Sequence, residues 1–141
     1  MENTDLILQP KEPVNCVGER ADFEDEKYGT HDKNTFDIWL AKSDTPTPLV
    51  IYIHGGGFVG GDKSKYYDSE DLVRFLKAGV SVATINYRFM THEPFGIKAS
   101  LNDSKRCLQF IRYHAKKYNV DKKRIACSGG SAGAGTSLWL A

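Results

Sequence analysis

Ser131 sits in the string Gly129-Gly130-Ser131-Ala132-Gly133, a G-x-S-x-G pattern with a short apolar run on either side. A serine at the centre of that pattern can act as a nucleophile, because a sharp strand-to-helix turn lifts its Oγ clear of a sheet. Such a turn crowds the residues two before and two after the serine, and both are glycine here. A helix starting behind the serine also favours negative charge developing beside it. His54-Gly55-Gly56-Gly57 is a second string with chemical potential. Acyl transfer needs backbone N–H donors aimed at the oxygen that becomes an oxyanion. Consecutive glycines let a backbone approach without side-chain obstruction. Either string alone is also compatible with a flexible glycine-rich turn that does no chemistry.

Two other glycine patterns point elsewhere and fit poorly. Gly55-x-Gly57-x-x-Gly60 has dinucleotide-fingerprint spacing. That fingerprint wants a helix starting at the loop and a carboxylate at the end of the next strand. A long polar stretch follows instead, and the next apolar run ends in Asn86-Tyr87-Arg88. Gly130-x-x-x-x-Gly135-Thr136-Ser137 has phosphate-loop spacing but carries Thr136 where the lysine belongs.

The elements that must position the two strings follow from hydrophobic periodicity. Residues 1–20 are polar and irregular, with Pro10 and Pro13, and residues 21–141 read as part of one domain. Phe36, Ile38 and Leu40 alternate with Asp37, Trp39 and Ala41, which predicts a half-buried strand. It would pair with a strand over 21–28 in an antiparallel hairpin. Residues 49–53, 80–85 and 124–127 are short apolar runs, as expected of strands buried on both faces. Leu72, Phe75 and Leu76 have helical spacing, with Gly79 as a stop. Apolar residues at 97, 101, 108, 111, 115 and 118 predict an amphipathic helix ending near Asn119. Residues 136–141 continue into a further helix. The expected class is α/β, a mostly parallel sheet with an antiparallel N-terminal hairpin. Parallel strands would bring both glycine strings to one sheet edge.

Composition narrows the partners. The balance of 19 basic against 18 acidic residues gives a net charge of +1, with no basic stripe or acidic tail, which argues against nucleic acid or an anionic membrane. Cys16, Cys107 and Cys127 are odd in number, far apart and without C-x-x-C spacing. They read as reduced thiols and not as a disulfide frame or metal site. The acidic N-terminus lacks a signal-peptide pattern, and no apolar run could span a bilayer. The expectation is a cytoplasmic protein with no metal and no cofactor; the oligomeric state is unassigned.

Taken together, the residues resemble a known group. His54-Gly-Gly-Gly-Phe58, Gly60-Gly-Asp62, Asn86-Tyr-Arg88, Asp103, Asp121, Arg124-Ile125 and Gly129-Gly-Ser-Ala-Gly133 form a series similar to that of the hormone-sensitive-lipase-type carboxylesterases and lipases of the α/β-hydrolase superfamily. The resemblance runs from about residue 22 to the last residue. It implies that Ser131 is the nucleophile and that Gly56, Gly57 and Ala132 supply oxyanion-hole N–H groups. His54, Gly55, Gly129 and Gly133 would organise the loops, while Asp62, Arg88 and Asp103 would fix them through hydrogen bonds. The partner would be a small-molecule ester. Gly130 departs from the Asp or Glu that many relatives carry before the serine, and Phe89-Met90-Thr91-His92 departs from their usual run.

In this fold the acid and histidine of the triad follow the serine in the chain, and residues 134–141 contain no Asp, Glu or His. The expectation is therefore the N-terminal portion of a hydrolase domain, ending just after the nucleophile turn and inactive by itself. Of His31, His54, His92 and His114 as candidate bases, His92 stands out because its loop leaves the C-terminal end of a strand on the active-site side. A serine ester hydrolase is the leading reading. A hydrolase-like binding module without a base, or an inactive fragment, is the alternative.

Overall fold

The computed structural model describes residues 20–92, 94 and 96–141. The irregular segment expected over 1–20 lies outside these residues except for Arg20, as does Cys16. Five strands form one sheet: β1 (Phe23–Lys27), β2 (Thr35–Trp39), β3 (Thr47–Ile53), β4 (Ser81–Ile85) and β5 (Val120–Gly129). Three α-helices accompany them, α1 (Glu70–Lys77), α2 (Ile97–Tyr113) and α3 (Ala132–Leu140), with a 3-10 turn over Lys63–Tyr66.

The sheet order is β1-β2-β4-β3-β5. β1–β2 and β2–β4 pair antiparallel, whereas β3 pairs parallel with β4 on one side and β5 on the other. The expected N-terminal hairpin is present. Its β1 strand has a bulge at Asp25 (φ 51°), whose N–H bonds the Asp37 carboxylate at 2.8 Å. β3 is flanked by β4 and β5, and its Leu49, Ile51, Tyr52 and Ile53 are all buried, as an apolar run between two neighbours allows. Its alternating residues feed two cores. Ile51 and Ile53 join Phe36, Ile85, Tyr87, Cys107, Ile111 and Tyr118 on the α2 face. Tyr52 joins Trp39, Leu72 and Val82 on the α1 face.

Three elements differ from the sequence reading. β2, expected to be half-buried, is buried at all five positions, with Asp37 paired to the Lys63 ammonium on the face expected to be polar. α2 stops at Tyr113 and not near Asn119; the chain turns through residues 114–119, and Asn119 takes a left-handed φ of 49° while its amide bonds the Ser43 and Thr45 carbonyls. β5 is longer than the apolar run at 124–127 and is not buried on both faces. Among the described residues it has one neighbour, so its burial alternates and Lys122, Lys123 and Arg124 are exposed.

Register places the functional edge. Ile53 lies opposite both Ile85 and Gly129, so the last residues of β3, β4 and β5 are level. The segments that follow, beginning at His54, Asn86 and Gly130, therefore leave the same sheet edge. β3 connects to β4 on one side, and β4 returns to β5 on the other. The gap between the β3 and β5 loops is thus a topological switch point, where open α/β sheets hold ligands.

Candidate active site

The turn between β5 and α3 is as tight as the glycine spacing requires. Ser131 occupies φ 52°, ψ −117°, a conformation L-residues rarely adopt, directly before the first helical residue Ala132. Such an outlier persists only where its surroundings over-determine it. The surroundings are backbone. A Cβ on Gly129 or on Gly133 would overlap the Ile53 carbonyl oxygen, and one on Gly129 would also meet the Gly133 backbone at 2.8 Å. The Gly133 N–H bonds the Gly130 carbonyl at 2.9 Å and the Gly135 N–H bonds the Ser131 carbonyl at 3.1 Å, which closes the first turn of α3. Ser131 itself is exposed.

The two glycine strings meet. A Cβ on Gly55 would lie 2.8 Å from the Gly130 carbonyl oxygen and 3.4 Å from Ser131 Cβ. The chain then bends sharply: Gly56, Gly57 and Phe58 have φ of 123°, 61° and 62°. A side chain on Gly56 would strike the Gly60 carbonyl. Among the described residues, no backbone carbonyl accepts from the N–H groups of Gly56, Gly57 or Ala132. Ala132 is the first residue of α3, whose opening N–H groups have no intrahelical partner.

Side chains hold this first loop in place. His54 is 1% exposed, and its ring stacks on Tyr87 with centroids 4.4 Å apart. Its Nδ1 lies 2.7 Å from the Gly55 carbonyl oxygen, so Nδ1 carries the proton and donates. Burial lowers the His54 pKa, against which the Gly55 carbonyl pulls it up, and the net direction is down. The Tyr87 hydroxyl donates to the His54 carbonyl at 2.5 Å, and burial raises its pKa to about 12. His54 Nε2 is buried without a hydrogen-bond partner among the described residues. Among the described residues, the His54 ring contacts the Gly55 carbonyl and Tyr87, and no hydrogen bond joins it to Ser131.

The return of the loop is anchored as firmly. Asp62 caps the 3-10 turn through the Ser64 N–H and accepts from the Asn86 amide at 2.9 Å. Burial raises the Asp62 pKa, but the donors from Ser64 and Asn86 outweigh it and hold the carboxyl at about 2. The Lys63 N–H bonds Asn86 Oδ1 at 2.7 Å. Its ammonium is buried against Asp37 at 2.7 Å, Tyr67 at 2.9 Å and Asp25 at 3.0 Å. Arg88 grips Asp103 through its backbone N–H, Nε and Nη2 at 2.8–2.9 Å, and Asn34 donates to the same carboxylate. Met90 N–H bonds the Phe58 carbonyl at 2.8 Å, tying the segment after β4 to the glycine loop.

The remaining histidines lie apart from the serine in their recorded contacts. His92 accepts from the Phe89 N–H and stacks on Phe89, and its ring lies 5.1 Å from that of His31. His114 packs on Phe110 and Tyr113 at the end of α2. Asp68 precedes the Ser69 cap of α1, and Glu70 and Asp71 fill its first turn, as acidic residues at a positive helix end do. Cys107 and Cys127 are free thiols raised in pKa by burial. No group of three or more metal-ligating residues occurs among the described residues. None of their helices is long and apolar enough to cross a membrane.

The BD-FAE family profile matches residues 36–141, three quarters of the chain and the whole span that holds both glycine strings. The chain belongs to the BD-FAE family. Among curated relatives of this chain, an esterase of Gibberella moniliformis is 34% identical over 127 residues, covering 89% of this chain and 38% of its own length. The esterase LipI of Mycobacterium tuberculosis is 33% identical over 86 residues, 61% of this chain and 26% of that protein. The chain therefore spans well under half the length of these relatives. A solved truncated carbohydrate esterase from gut microbiota superposes with a TM-score of 0.75 at 24% identity, covering 92% of this chain and 45% of that one. The sheet and helices of this BD-FAE chain have the α/β-hydrolase arrangement that the motif series resembles.

Two supports were missed from sequence. Lys63 and Asp37 lie 26 residues apart, and no local pattern links them. Tyr66 stacks on Tyr52 at 4.3 Å, and neither residue belongs to a motif.

Proposed function

We propose that the protein is a carboxylic ester hydrolase, of the carboxylesterase or lipase type, acting on a small-molecule ester through an acyl-enzyme on Ser131. The observation that carries this reading is the meeting of the strained Ser131 with Gly55, which sets a nucleophile against a ready row of backbone donors. A base removes the Ser131 hydroxyl proton as Oγ attacks the ester carbonyl. The N–H groups of Gly56, Gly57 and Ala132 hold the resulting oxyanion. The bond to the alkoxy group then breaks, and the alcohol leaves with the proton from the base. Water attacks the acyl group in the same way, releasing the acid and restoring the serine.

The base and its acidic partner are assigned to chain outside residues 1–141, in keeping with the greater length of the relatives and the chain order of the fold. The test is covalent labelling of the full-length protein with a fluorophosphonate. Labelling lost on Ser131→Ala supports the assignment, and undiminished labelling of that variant sinks it.

A further inference from the structure

Asp25 takes a left-handed φ of 51° inside β1, a conformation that favours glycine. It lies in a β-bulge outside both glycine strings, and a strained residue of this kind persists only where its surroundings over-determine it. A bulge re-aims the groups it carries. Here the Asp25 N–H bonds Asp37 Oδ1 at 2.8 Å, and the Asp25 carboxylate lies 3.0 Å from the Lys63 ammonium. That ammonium also donates to Asp37 Oδ2 at 2.7 Å and to the Tyr67 hydroxyl at 2.9 Å. Lys63 and Asp37 are both buried. Carboxylates from β1 and β2 thus close on one ammonium from the turn after β3.

The backbone of Lys63 leads back to the first glycine string. Its N–H bonds Asn86 Oδ1 at 2.7 Å, and the Asn86 amide bonds Asp62 at 2.9 Å, so both residues are tied to the end of β4. Just before them, Gly61 (φ 102°) presses on Gly55: a Cβ there would overlap the Gly55 carbonyl oxygen and the His54 ring. Gly60 presses on Gly56, where a Cβ would overlap the Gly60 carbonyl. The segment that ends at Lys63 is therefore the surface against which Gly55 and Gly56 rest.

We infer that Lys63 is a positioning residue of the oxyanion loop: its ammonium, held between Asp25 and Asp37, fixes residues 60–63 and through them the Gly56 N–H. The inference rests on Gly56 serving as an oxyanion donor to a Ser131 nucleophile. It gives the bulge in β1 a task, and it joins the N-terminal hairpin to a reaction in which no residue of that hairpin takes part directly.

The test is hydrolysis of p-nitrophenyl acetate by the full-length protein, with kcat and KM measured well below the thermal midpoint of each variant. Lys63→Met keeps most of the side chain and removes its charge. A displaced donor weakens transition-state binding more than substrate binding. The kcat should fall about ten-fold, short of the hundreds-fold loss of a donor outright, with KM changed less than about two-fold. Asp25→Asn is the milder variant. Asn tolerates the left-handed φ and keeps the N–H bond to Asp37, but it takes one carboxylate from Lys63. It should lower kcat about three-fold alone and less than about 1.5-fold in the Lys63→Met background, because the two residues act through one contact. A purely structural role would lower the midpoint and leave the kcat of folded protein unchanged, which would overturn the inference. So would a rise in KM at constant kcat, or an equal loss from Asp25→Asn in both backgrounds. Where Lys63→Met does not fold, Asp25→Asn decides alone, and a wild-type kcat there overturns the inference. Ser131→Ala separates the two claims. Turnover that survives it removes the nucleophile reading and this inference with it. Turnover that it abolishes, with Lys63→Met and Asp25→Asn at the wild-type kcat, removes the role of Lys63 alone.

Discussion

The two glycine loops at the switch point are held by different physics. The loop after β3 is held by side chains: His54 on Tyr87, Asp62 on Asn86, Lys63 on Asp37 and, one segment away, Arg88 on Asp103. The turn after β5 is held by backbone contact, with Gly129 and Gly133 pressed against the Ile53 carbonyl and each other. The first arrangement is assembled from distant parts of the chain. The second is set within five residues and one neighbouring strand. A loop held by a network should lose stability in pieces as partners are removed. A turn held by close approach has no intermediate setting.

The largest expected effect follows from that contrast. Gly133→Ala forces a Cβ into the Ile53 carbonyl, and backbone on both sides leaves nowhere to move. It should cost more than about 4 kcal/mol, a rare magnitude for one methyl, read as loss of the folded baseline in urea denaturation. A cost near 1 kcal/mol would mean the turn relaxes, and the contrast would fail. Next comes Lys63→Met. Asp37 is 1% exposed, and it would lose its ammonium while keeping Tyr67 and the Asp25 N–H. Leaving a buried carboxylate without its cation costs about 3 kcal/mol. The same denaturation should show a lowered midpoint with a cooperative transition retained.

Much of this was legible in the sequence, and what was not has a common cause. The glycine loops stood out because their chemistry demands particular residue types at fixed local spacing. β3 and β4 stood out because continuous apolar runs are what doubly covered strands need. The anchors were invisible because Lys63 meets Asp37, and Tyr66 meets Tyr52, only after β2 and β3 have been aligned. β5 misled in the opposite way. Its run Ile125-Ala126-Cys127 looks like a strand buried on both faces, but burial depends on neighbours, and among the described residues it has one. The overlong reading of α2 has a local cause: Ala115 and Tyr118 continue the apolar spacing past Tyr113 while packing from a turn.

Acid should act on the networked loop alone. The folded Asp62 carboxyl sits at about 2, below the 3.8 usual for an aspartate. A depressed pKa gives stability that is fully present above the unfolded value and is lost as pH falls through the folded one. Stability should therefore decline between about pH 4 and pH 2, and Asp62→Asn should flatten that part of the acid limb. The turn after β5 contributes no titrating side chain from residues 128–133. An acid limb unchanged in Asp62→Asn would place the sensitivity elsewhere, in Glu26, where burial raises the carboxyl pKa but Lys117 and Tyr118 outweigh it and bring it down.

The smallest effect tests the backbone side of the contrast by its sign. Gly130 lies within the same five-residue turn as Gly133, yet a Cβ there meets nothing within 4 Å and its φ is open to any L-residue. Gly130→Ala removes conformational freedom from the unfolded chain without introducing a clash. It should stabilise by about 0.4–1 kcal/mol, measured in the same urea titration as Gly133→Ala. Three positions along the chain, the identical substitution would then reverse direction. If close approach and not glycine content is what sets the turn, the two variants must differ in sign. Destabilisation by Gly130→Ala would mean that the turn needs freedom at that residue as well as room at its flanks.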